Sequence, residues 1–273
     1  MIDAPNVLTA GILCTGLALA ACKAHILDSW GAITAFLIGF VTFVFPAEGW
    51  KWFVILLVFL AVSSCMTHYK YQDKRKKGFA QEKGGARGWP NVAANGGIAG
   101  LLALLAVRLP SEPVLAAFLG AVATANADTL ATEIGLLNPT DPRLITDPRK
   151  IVPAGTSGGI SLLGELATIF GALIIGIAAG ILRVTGNPGW PLSVLIGTTV
   201  IAGLAGCSID SIIGATVQGI YKCRVCNKIT ENRKHCGSPS IPVRGYDTID
   251  NNVVNLIATI CGAILAVLFL VFS

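Results

Sequence analysis

Carboxylate side chains lie in one segment of a chain that is otherwise strongly apolar. Residues 123–135 read ATANADTLATEIG and place Asp128, Thr129 and Glu133 inside a long hydrophobic stretch. A carboxylate at membrane depth costs several kcal/mol, so such residues usually serve a function. Carboxylate oxygens are also the ligands that Mg²⁺ prefers, usually in company with a phosphate group. This segment therefore predicts a metal-dependent site.

Four further apolar segments begin or end with amide, hydroxyl or acidic residues. These are Asn91 and Asn95; Thr156, Ser157 and Glu165; Asp210, Ser211, Thr216 and Gln218; and Asp250, Asn251, Asn252 and Asn255. Taken singly, Asn91, Ser157 and Asp250 are equally typical of helix N-caps. The acids Asp128, Glu133, Glu165 and Asp210 need another explanation. No lysine or arginine lies in the same segments to neutralise their charge, so a divalent cation is the expected partner.

The elements that must position these residues are transmembrane helices. The chain has 273 residues, of which 53% are hydrophobic and 13% charged, and it contains 31 glycines. This composition indicates an all-α, polytopic integral membrane protein rather than a soluble domain. Segments of spanning length predict about eight spans, near residues 5–22, 29–46, 50–66, 91–109, 113–136, 157–183, 191–219 and 252–272.

The basic residues predict the orientation of these spans. All but three of the 20 lysines and arginines lie in four loops on one side, chiefly the loop at residues 67–90 and the loop at residues 220–249. The positive-inside rule places these loops in the cytoplasm and both termini outside. The net charge of +5 is thus explained by the loops, and we expect no nucleic-acid partner. Without an Arg-rich transit segment, a prokaryotic plasma membrane is favoured.

With this orientation, five spans bring acids or amides to the cytoplasmic end of the membrane. Spans 4, 6 and 8 also begin there, and helix N-termini favour anions. The basic run 74–77, together with Lys83 and Arg87, adds positive charge at the rim. The combination predicts a site for a phosphorylated substrate, with the acids holding Mg²⁺. By itself, the lysine run is better interpreted as a solvated anchor for anionic lipid head groups.

The loop at residues 220–249 contains a second group of ligand-type residues. Cys223 and Cys226 form a C-x₂-C pair, and His235 and Cys236 follow it. This spacing is typical of a structural Zn²⁺ site, and disulfides are disfavoured in the cytoplasm. Free thiol and imidazole groups are the alternative.

Together these segments resemble one known family, the polytopic membrane proteins that include the plant phytyl-phosphate kinase. The resemblance rests on the ordered series NVAANGG, ADTLATEIG, GTSGGISLLG, GCSIDSIIGATVQ, C-x₂-C…HCG and DNNVVN. It covers about residues 70–260. Asn91 stands where the family has glutamine, so the amide is kept but its reach is shorter.

The resemblance implies a kinase of lipid metabolism that acts on an isoprenyl monophosphate of phytyl or geranylgeranyl type. A nucleoside triphosphate, with CTP expected by analogy, would donate its γ-phosphoryl group, giving the diphosphate. Asp128, Glu133 and Asp210 would hold Mg²⁺, and Arg87 and one lysine would stabilise developing charge. The remaining contacts to substrate or nucleotide would come from Asn91, Asn95, Thr129, Thr156, Ser157, Ser211, Gln218, Asp250, Asn251 and Asn255.

Two other functions fit the same residues. A CTP-dependent cytidylyltransferase acting on a lipid phosphate needs the same metal and phosphate contacts. A cation-coupled transporter also uses intramembrane acids and glycine-rich helices, and spans 5–6 and 7–8 show a weak parallel repeat. The sequence leaves the oligomeric state open.

Overall fold

The computed structural model describes residues 4–77, 82–184 and 190–272. Within these residues the chain forms nine α-helices: α1 (Ala4–Lys23), α2 (Ser29–Val44), α3 (Gly49–His68), α4 (Tyr71–Lys77), α5 (Trp89–Arg108), α6 (Glu112–Gly135), α7 (Leu162–Ile181), α8 (Leu192–Thr216) and α9 (Asn251–Phe272). Seven of them are long and apolar enough to cross a membrane, and α2 is a shorter apolar helix of 16 residues. The predicted all-α membrane fold with about eight spans is therefore confirmed.

Local sequence signals account for where several helices begin. Asp28 caps α2, because its carboxylate accepts a hydrogen bond from the Gly31 backbone N–H at 2.9 Å. Pro90 and Pro113 lie in the first turns of α5 and α6, where the missing N–H of proline has no helical partner to lose.

Helix α6, which carries the acidic segment, is the centre of the bundle. Of its 24 residues, 16 are buried, and it packs against α3, α5, α7, α8 and α9. Small residues permit this close packing. A Cβ atom at Gly206 of α8 or Gly262 of α9 would overlap the Thr124 side chain of α6.

Two polar residues of the acidic segment serve this packing rather than the site. The Thr124 hydroxyl donates to the Ala202 carbonyl of α8 at 3.0 Å, and the Asn126 amide donates to the Gly171 carbonyl of α7 at 2.8 Å. Both side chains are completely buried. They satisfy backbone carbonyls between helices, so the polarity of residues 123–127 is structural.

Short strands in the connecting loops were not predicted from the sequence. Strands β1 (Arg143–Leu144), β2 (Asp147–Ile151) and β3 (Gly159–Ile160) form an antiparallel sheet in the order β2-β1-β3. After α8, strands β4 (Ile220–Lys222), β5 (Ile229–Thr230) and β8 (Ile241–Arg244) form a second sheet, and β6 (Lys234–His235) pairs with β7 (Ser238–Pro239). These sheets fix two loops that composition alone left without structure.

The predicted start of span 6, at residue 157, is wrong by five residues. Gly155 and Gly158 have φ values of +77° and +79°, which an α-helix cannot contain, and β3 follows them. The helix α7 begins only at Leu162, with Ser161 as its N-cap. Thr156 and Ser157 therefore lie in a loop, and Glu165 lies in the first turn of α7.

The predicted end of span 7, at residue 219, is also too late. Helix α8 ends at Thr216, because Arg244 donates hydrogen bonds to the carbonyls of Gly214 and Ala215 at 2.7 and 2.6 Å. The chain then enters β4, and Gln218 lies in the connection.

Contacts between loops place four connections at one end of the bundle, which we call the loop end. Residues 24–28 pair with the segment before α5 through the Leu27–Arg87 bridge. Lys74 reaches Glu133 at the end of α6, and Ser157 reaches Glu231 in the loop after α8. Residues 78–81 of the predicted basic loop, and the side chains of Lys77 and Lys83, lie outside the described residues.

Candidate functional site

A polar cavity of about 240 Å³ opens at the loop end between α5, α6, α7, α8 and α9. Every residue predicted by number to bind or transform a substrate lines it, with the exception of Asp250, whereas the lysine predicted to act beside Arg87 is not among the described lining residues. These residues are Arg87, Asn91, Asn95, Asp128, Thr129, Glu133, Thr156, Ser157, Asp210, Ser211, Gln218, Asn251 and Asn255. The fold thus brings together side chains that are up to 168 positions apart between Arg87 and Asn255.

Asp128 of α6 and Asp210 of α8 supply two carboxylates to this cavity, and the charges of these two acids interact with each other and with Glu231. Among the described residues, no lysine or arginine forms a salt bridge with either aspartate. Within the described structure, the cavity therefore contains two carboxylates that have no salt-bridge partner.

A chain of amides connects Asp210 to α5. When the Asn255 amide is oriented to satisfy its neighbours, its nitrogen donates to Asp210 Oδ2 at 3.1 Å and its oxygen accepts from Asn95 Nδ2 at 3.3 Å. Asn95 also donates to the Asn91 carbonyl at 2.9 Å. Asn95 and Asn255 are both buried, so they fix the orientation of the Asp210 carboxylate.

Glu231 is a cavity residue that the sequence interpretation missed. Its carboxylate accepts a hydrogen bond from the Ser157 hydroxyl at 2.5 Å. Glu231 is exposed as a whole residue, but its carboxyl lies in the cavity, and withdrawal from bulk water raises its pKa. Hydrogen bonding to Ser157 and Gln218 opposes the shift, and the nearby Asp250 adds to it. In the sequence, the feature that could have indicated its role was its position as an acidic residue between the C-x₂-C pair and the His-Cys pair.

Three predicted hydroxyl donors are already engaged within the protein. Ser157 donates to Glu231, Thr156 donates to the Pro153 carbonyl at 2.7 Å, and Thr129 donates to the Ala125 carbonyl at 2.9 Å. A hydroxyl has one proton, so these groups present lone pairs to the cavity. In this arrangement the three hydroxyls are suited to contact with a cation rather than to donation of a hydrogen bond to phosphate.

Other cavity residues keep donors for an anion. Gln218 is only 2% exposed; its Nε2 meets the geometric limits of a hydrogen bond with none of the described residues, although its side chain lies close enough to Glu231 to lower the pKa of that carboxyl. The N-termini of α7 and α9 also border the cavity through Ser161 and Asn251. Because helix N-termini carry partial positive charge, this side of the cavity favours negative groups.

Arg87 lines the cavity from the segment before α5. Its guanidinium donates to Ser63 at 3.0 Å and to Thr67 at 3.2 Å, both on α3. Burial lowers the pKa of Arg87, and the Glu133 carboxylate acts in the opposite direction. Arginine stays protonated in proteins, so Arg87 provides a fixed positive charge in the lining of the cavity that also contains the acids.

Glu133 has a different environment from the two aspartates. Its carboxylate forms a 2.5 Å salt bridge with Lys74 of α4, and the two side chains are 4% and 1% exposed. Lys74 also donates to the carbonyls of Met66 and Thr67 at 2.9 Å each. The prediction of a solvated lysine run is therefore wrong for Lys74, and the charge of Glu133 is already neutralised by a partner other than a metal.

Asp250 acts as a helix cap in the structure. Its Oδ1 accepts hydrogen bonds from the backbone N–H groups of Asn252 and Val253 at 3.0 Å each. The prediction that it contacts substrate is thus not reflected in the cavity lining, because the carboxylate is used at the start of α9.

The metal ligands predicted in the loop at residues 220–249 lie close together. Ligand atoms of Cys223, Cys226, His235 and Cys236 all lie within 4.8 Å of one another, and this is the one such group of three or more Cys, His, Asp or Glu side chains among the described residues. Positive φ values at Cys236 and Gly237 provide the tight turn that adjacent ligands require. The donor set and its spacing fit tetrahedral zinc.

The environment of the Cys223 sulfur is that of a thiolate ligand. The backbone N–H groups of Val225 and Cys226 point at Cys223 Sγ, at 3.3 and 3.5 Å, and this lowers the Cys223 pKa to about 6. Hydrogen bonding with Cys226 and burial raise the pKa of Cys236 to about 11, and repulsion from charge on Cys226 and Cys223 acts in the same direction. A divalent cation would relieve that repulsion.

Comparison with known proteins identifies the family. The sequence pattern of the family described as "Integral membrane protein DUF92" matches residues 12–263. The chain belongs to this family. The match agrees with the resemblance based on the cavity and cysteine motifs, and it covers the helices that form the cavity.

Three relatives show how widely the family is distributed. The chain is 31% identical over 271 residues to Protein PGR of Arabidopsis thaliana, covering 91% of each chain. It is 32% identical over 257 residues to an uncharacterized membrane protein of Methanocaldococcus jannaschii, covering 94% of this chain and 91% of the relative. It is 27% identical over 247 residues to Protein VTE6, chloroplastic, of Arabidopsis thaliana, covering 89% of this chain and 65% of that protein. No solved structure matches the chain.

Proposed function

We propose that this protein is a membrane kinase that transfers the γ-phosphoryl group of a nucleoside triphosphate to an isoprenyl monophosphate, giving the diphosphate. The observation that carries the proposal is the loop-end cavity, in which Asp128 and Asp210 have no salt-bridge partner among the described residues, and which Arg87 and two helix N-termini also line. Acids for a metal and donors for phosphate in one water-accessible cavity are the requirements of phosphoryl transfer. The family match agrees with the motif resemblance to the phytyl-phosphate kinase family, and this supports the same function class.

Asp128 and Asp210 are the proposed Mg²⁺ ligands. Among the described residues, the cavity acids do not form a group of three within 4.8 Å. This fits Mg²⁺, which keeps several waters and is commonly bound through one or two carboxylates together with substrate phosphates. When bound, the ion would neutralise charge on the phosphates. Glu133 is not among the proposed ligands, because its carboxylate forms a salt bridge with Lys74.

The remaining cavity residues divide into orienting and binding groups. Asn255 and Asn95 hold the Asp210 carboxylate, while Gln218, Asn91 and Asn251 offer amide donors to phosphate oxygens. Arg87 stabilises charge that develops during transfer. The attacking oxygen belongs to a phosphate that is already anionic at neutral pH, so no general base is required.

An apolar groove provides a place for the isoprenyl tail. It has a volume of about 310 Å³ and lies between α5, α6 and α9, with Ile98, Leu102, Ile260 and Ile264 among its lining residues. Asn91, Asn95, Ile98 and Leu102 are three or four positions apart along α5, so they share one face of that helix. The groove therefore continues the cavity along the helix pair that provides its amides.

The test is to follow label from two positions of the nucleotide. Purified full-length protein in lipid nanodiscs is incubated with geranylgeranyl phosphate, Mg²⁺ and each of four γ-labelled nucleoside triphosphates, and lipids are then separated. Label in a lipid diphosphate is the expected result, and it identifies the donor, for which we propose CTP. Label transferred only from α-labelled CTP would instead establish a cytidylyltransferase. No transfer with several isoprenyl phosphates would contradict both enzyme functions and favour flux assays for a transporter.

A further inference from the structure

The loop after α8 connects the cysteine cluster directly to the cavity. Glu231 lies five residues after Cys226 and four before His235, so metal ligands enclose it on both sides in the chain. Between them, β5 (Ile229–Thr230) pairs with β4 (Ile220–Lys222), and the Asn232 N–H donates to the Thr230 hydroxyl at 3.2 Å. Because this connection is short and hydrogen-bonded, the position of the cysteine cluster determines where Glu231 lies.

Hydrogen bonds also hold the part of the loop that follows Glu231. Arg233 donates to the Asp247 carbonyl, and the Asp247 carboxylate accepts from the Tyr221 hydroxyl at 2.9 Å. The Ser240 N–H donates to the Arg233 carbonyl at 2.8 Å. Strands this short cannot define a loop without further support, because two- and three-residue ladders bury little apolar surface. The cysteine cluster provides a suitable cross-link.

We propose that Cys223, Cys226, His235 and Cys236 bind one structural Zn²⁺, and that this metal holds Glu231 in the cavity as a third carboxylate beside Asp128 and Asp210. The first part, zinc binding and the placement of Glu231, stands on the ligand geometry and the Ser157–Glu231 hydrogen bond. The second part, a contribution of Glu231 to Mg²⁺ binding, rests on the proposed kinase function.

The role of Glu231 follows from its partner. Because Glu231 accepts the hydrogen bond of the Ser157 hydroxyl, the lone pairs of Ser157 are left for the cavity, where they suit a cation. The charge of Glu231 adds to that of the two aspartates, and more carboxylate charge around a site increases its affinity for a hard divalent cation. Glu231 is therefore a positioning residue for Ser157 and a determinant of metal affinity.

The first measurement is zinc content, which does not depend on any enzymatic activity. Full-length protein purified in the presence of Zn²⁺ should contain one zinc per chain by elemental mass spectrometry. The C223S/C226S variant should lose it, whereas C65S, which changes an exposed cysteine of α3, should keep it. A wild-type protein that neither contains nor takes up zinc would overturn the proposal.

The second measurement tests the connection between the zinc and the cavity. Backbone hydrogen exchange is compared before and after treatment with a zinc chelator, without altering the sequence. Exchange should rise at least tenfold at residues 228–236 and also at residues 154–160, where Ser157 loses its acceptor. Exchange at α6 should be unchanged. Unaltered exchange at 154–160 after zinc removal would contradict the proposed placement of Glu231.

The third measurement concerns Mg²⁺ and uses a matched pair of substitutions. Glu231→Gln should retain zinc but require about tenfold more Mg²⁺ for half-maximal transfer, while Glu48→Gln at the opposite end of the bundle should behave as wild type. An unchanged Mg²⁺ requirement in Glu231→Gln would remove Glu231 from the site. If no acceptor supports transfer at all, the proposed function fails, and the zinc and exchange results still decide the placement of Glu231.

Discussion

Two acidic residues of α6, Glu133 and Asp128, differ in whether a basic side chain of the protein neutralises them. Glu133 and Asp128 are five positions apart on α6 and both line the cavity. Glu133 is paired with a buried lysine, whereas Asp128 faces Asp210 and Glu231 with no lysine or arginine in salt-bridge contact within the described structure. Glu133, which Lys74 neutralises, stabilises the fold, whereas Asp128 can bind a cationic ligand. We therefore expect the two sites to respond differently to substitution.

The largest effect is expected from the neutralised site. Lys74→Met leaves Glu133 buried without its partner, which typically costs about 3–5 kcal/mol of folding free energy. The free energy of unfolding in detergent should fall by this amount, and Lys76→Met, at an exposed lysine of the same helix, should leave it unchanged. Replacing both members of the pair, in Lys74→Met/Glu133→Leu, should restore most of the loss. Wild-type stability in the single variant would mean that the pair is not structural.

At the other site, activity should be lost while stability is retained. Losing a ligand of the ion that would neutralise developing charge should cost about as much as losing one stabilising donor, which is typically about 10²–10³-fold in rate. Asp128→Asn and Asp210→Asn should each reduce phosphoryl transfer in nanodiscs by this factor without lowering the free energy of unfolding. Asp147→Asn, at an exposed aspartate of β2, is the matched control. Undiminished turnover in Asp128→Asn would remove that residue from the reaction.

Much of this comparison could be predicted from the sequence, because the hydrophobic spans and the positions of Asp128 and Asp210 are local features. The partner of Glu133 could not, since Lys74 comes from α4, 59 positions away, and its burial depends on tertiary packing. Glu231 was missed for the same reason: it reaches the cavity only through short strands that carry no hydrophobic signal. The start of α7 was predicted too early, because Ser157 is equally typical of a cap and of a ligand and the actual cap is Ser161. Asp250 was predicted to be a ligand for the same reason, although it caps α9.

Filling the apolar groove should have a smaller effect, specific to the lipid substrate. Ile260→Trp occupies space between α5 and α9 and should raise KM for geranylgeranyl phosphate by about tenfold, within the range for altered apolar pockets. The KM for the nucleotide should not change. Leu268→Trp, at an exposed position of α9 outside the groove, controls for the added ring. Equal KM values for the two variants would place the tail elsewhere.

The smallest effect is a dependence of Mg²⁺ affinity on pH. The pKa of Glu231 is raised above the ordinary glutamate value of about 4.3, so this carboxylate gains its proton at a higher pH than usual as the pH falls. The Mg²⁺ concentration for half-maximal transfer should rise several-fold between pH 8 and the raised pKa, and the rise should be weaker in Glu231→Gln. Identical pH profiles for wild type and variant would contradict this role.

The most direct test of the central claim is a structure determined by cryo-electron microscopy in nanodiscs, with Mg²⁺ and a non-hydrolysable CTP analogue. The account predicts metal density within about 2.0–2.1 Å of carboxylate oxygens of Asp128 and Asp210, bridging to the nucleotide phosphates. Glu133 should remain on Lys74. Phosphates and metal bound away from the two aspartates, or Glu133 released from Lys74 to hold the metal, would contradict it.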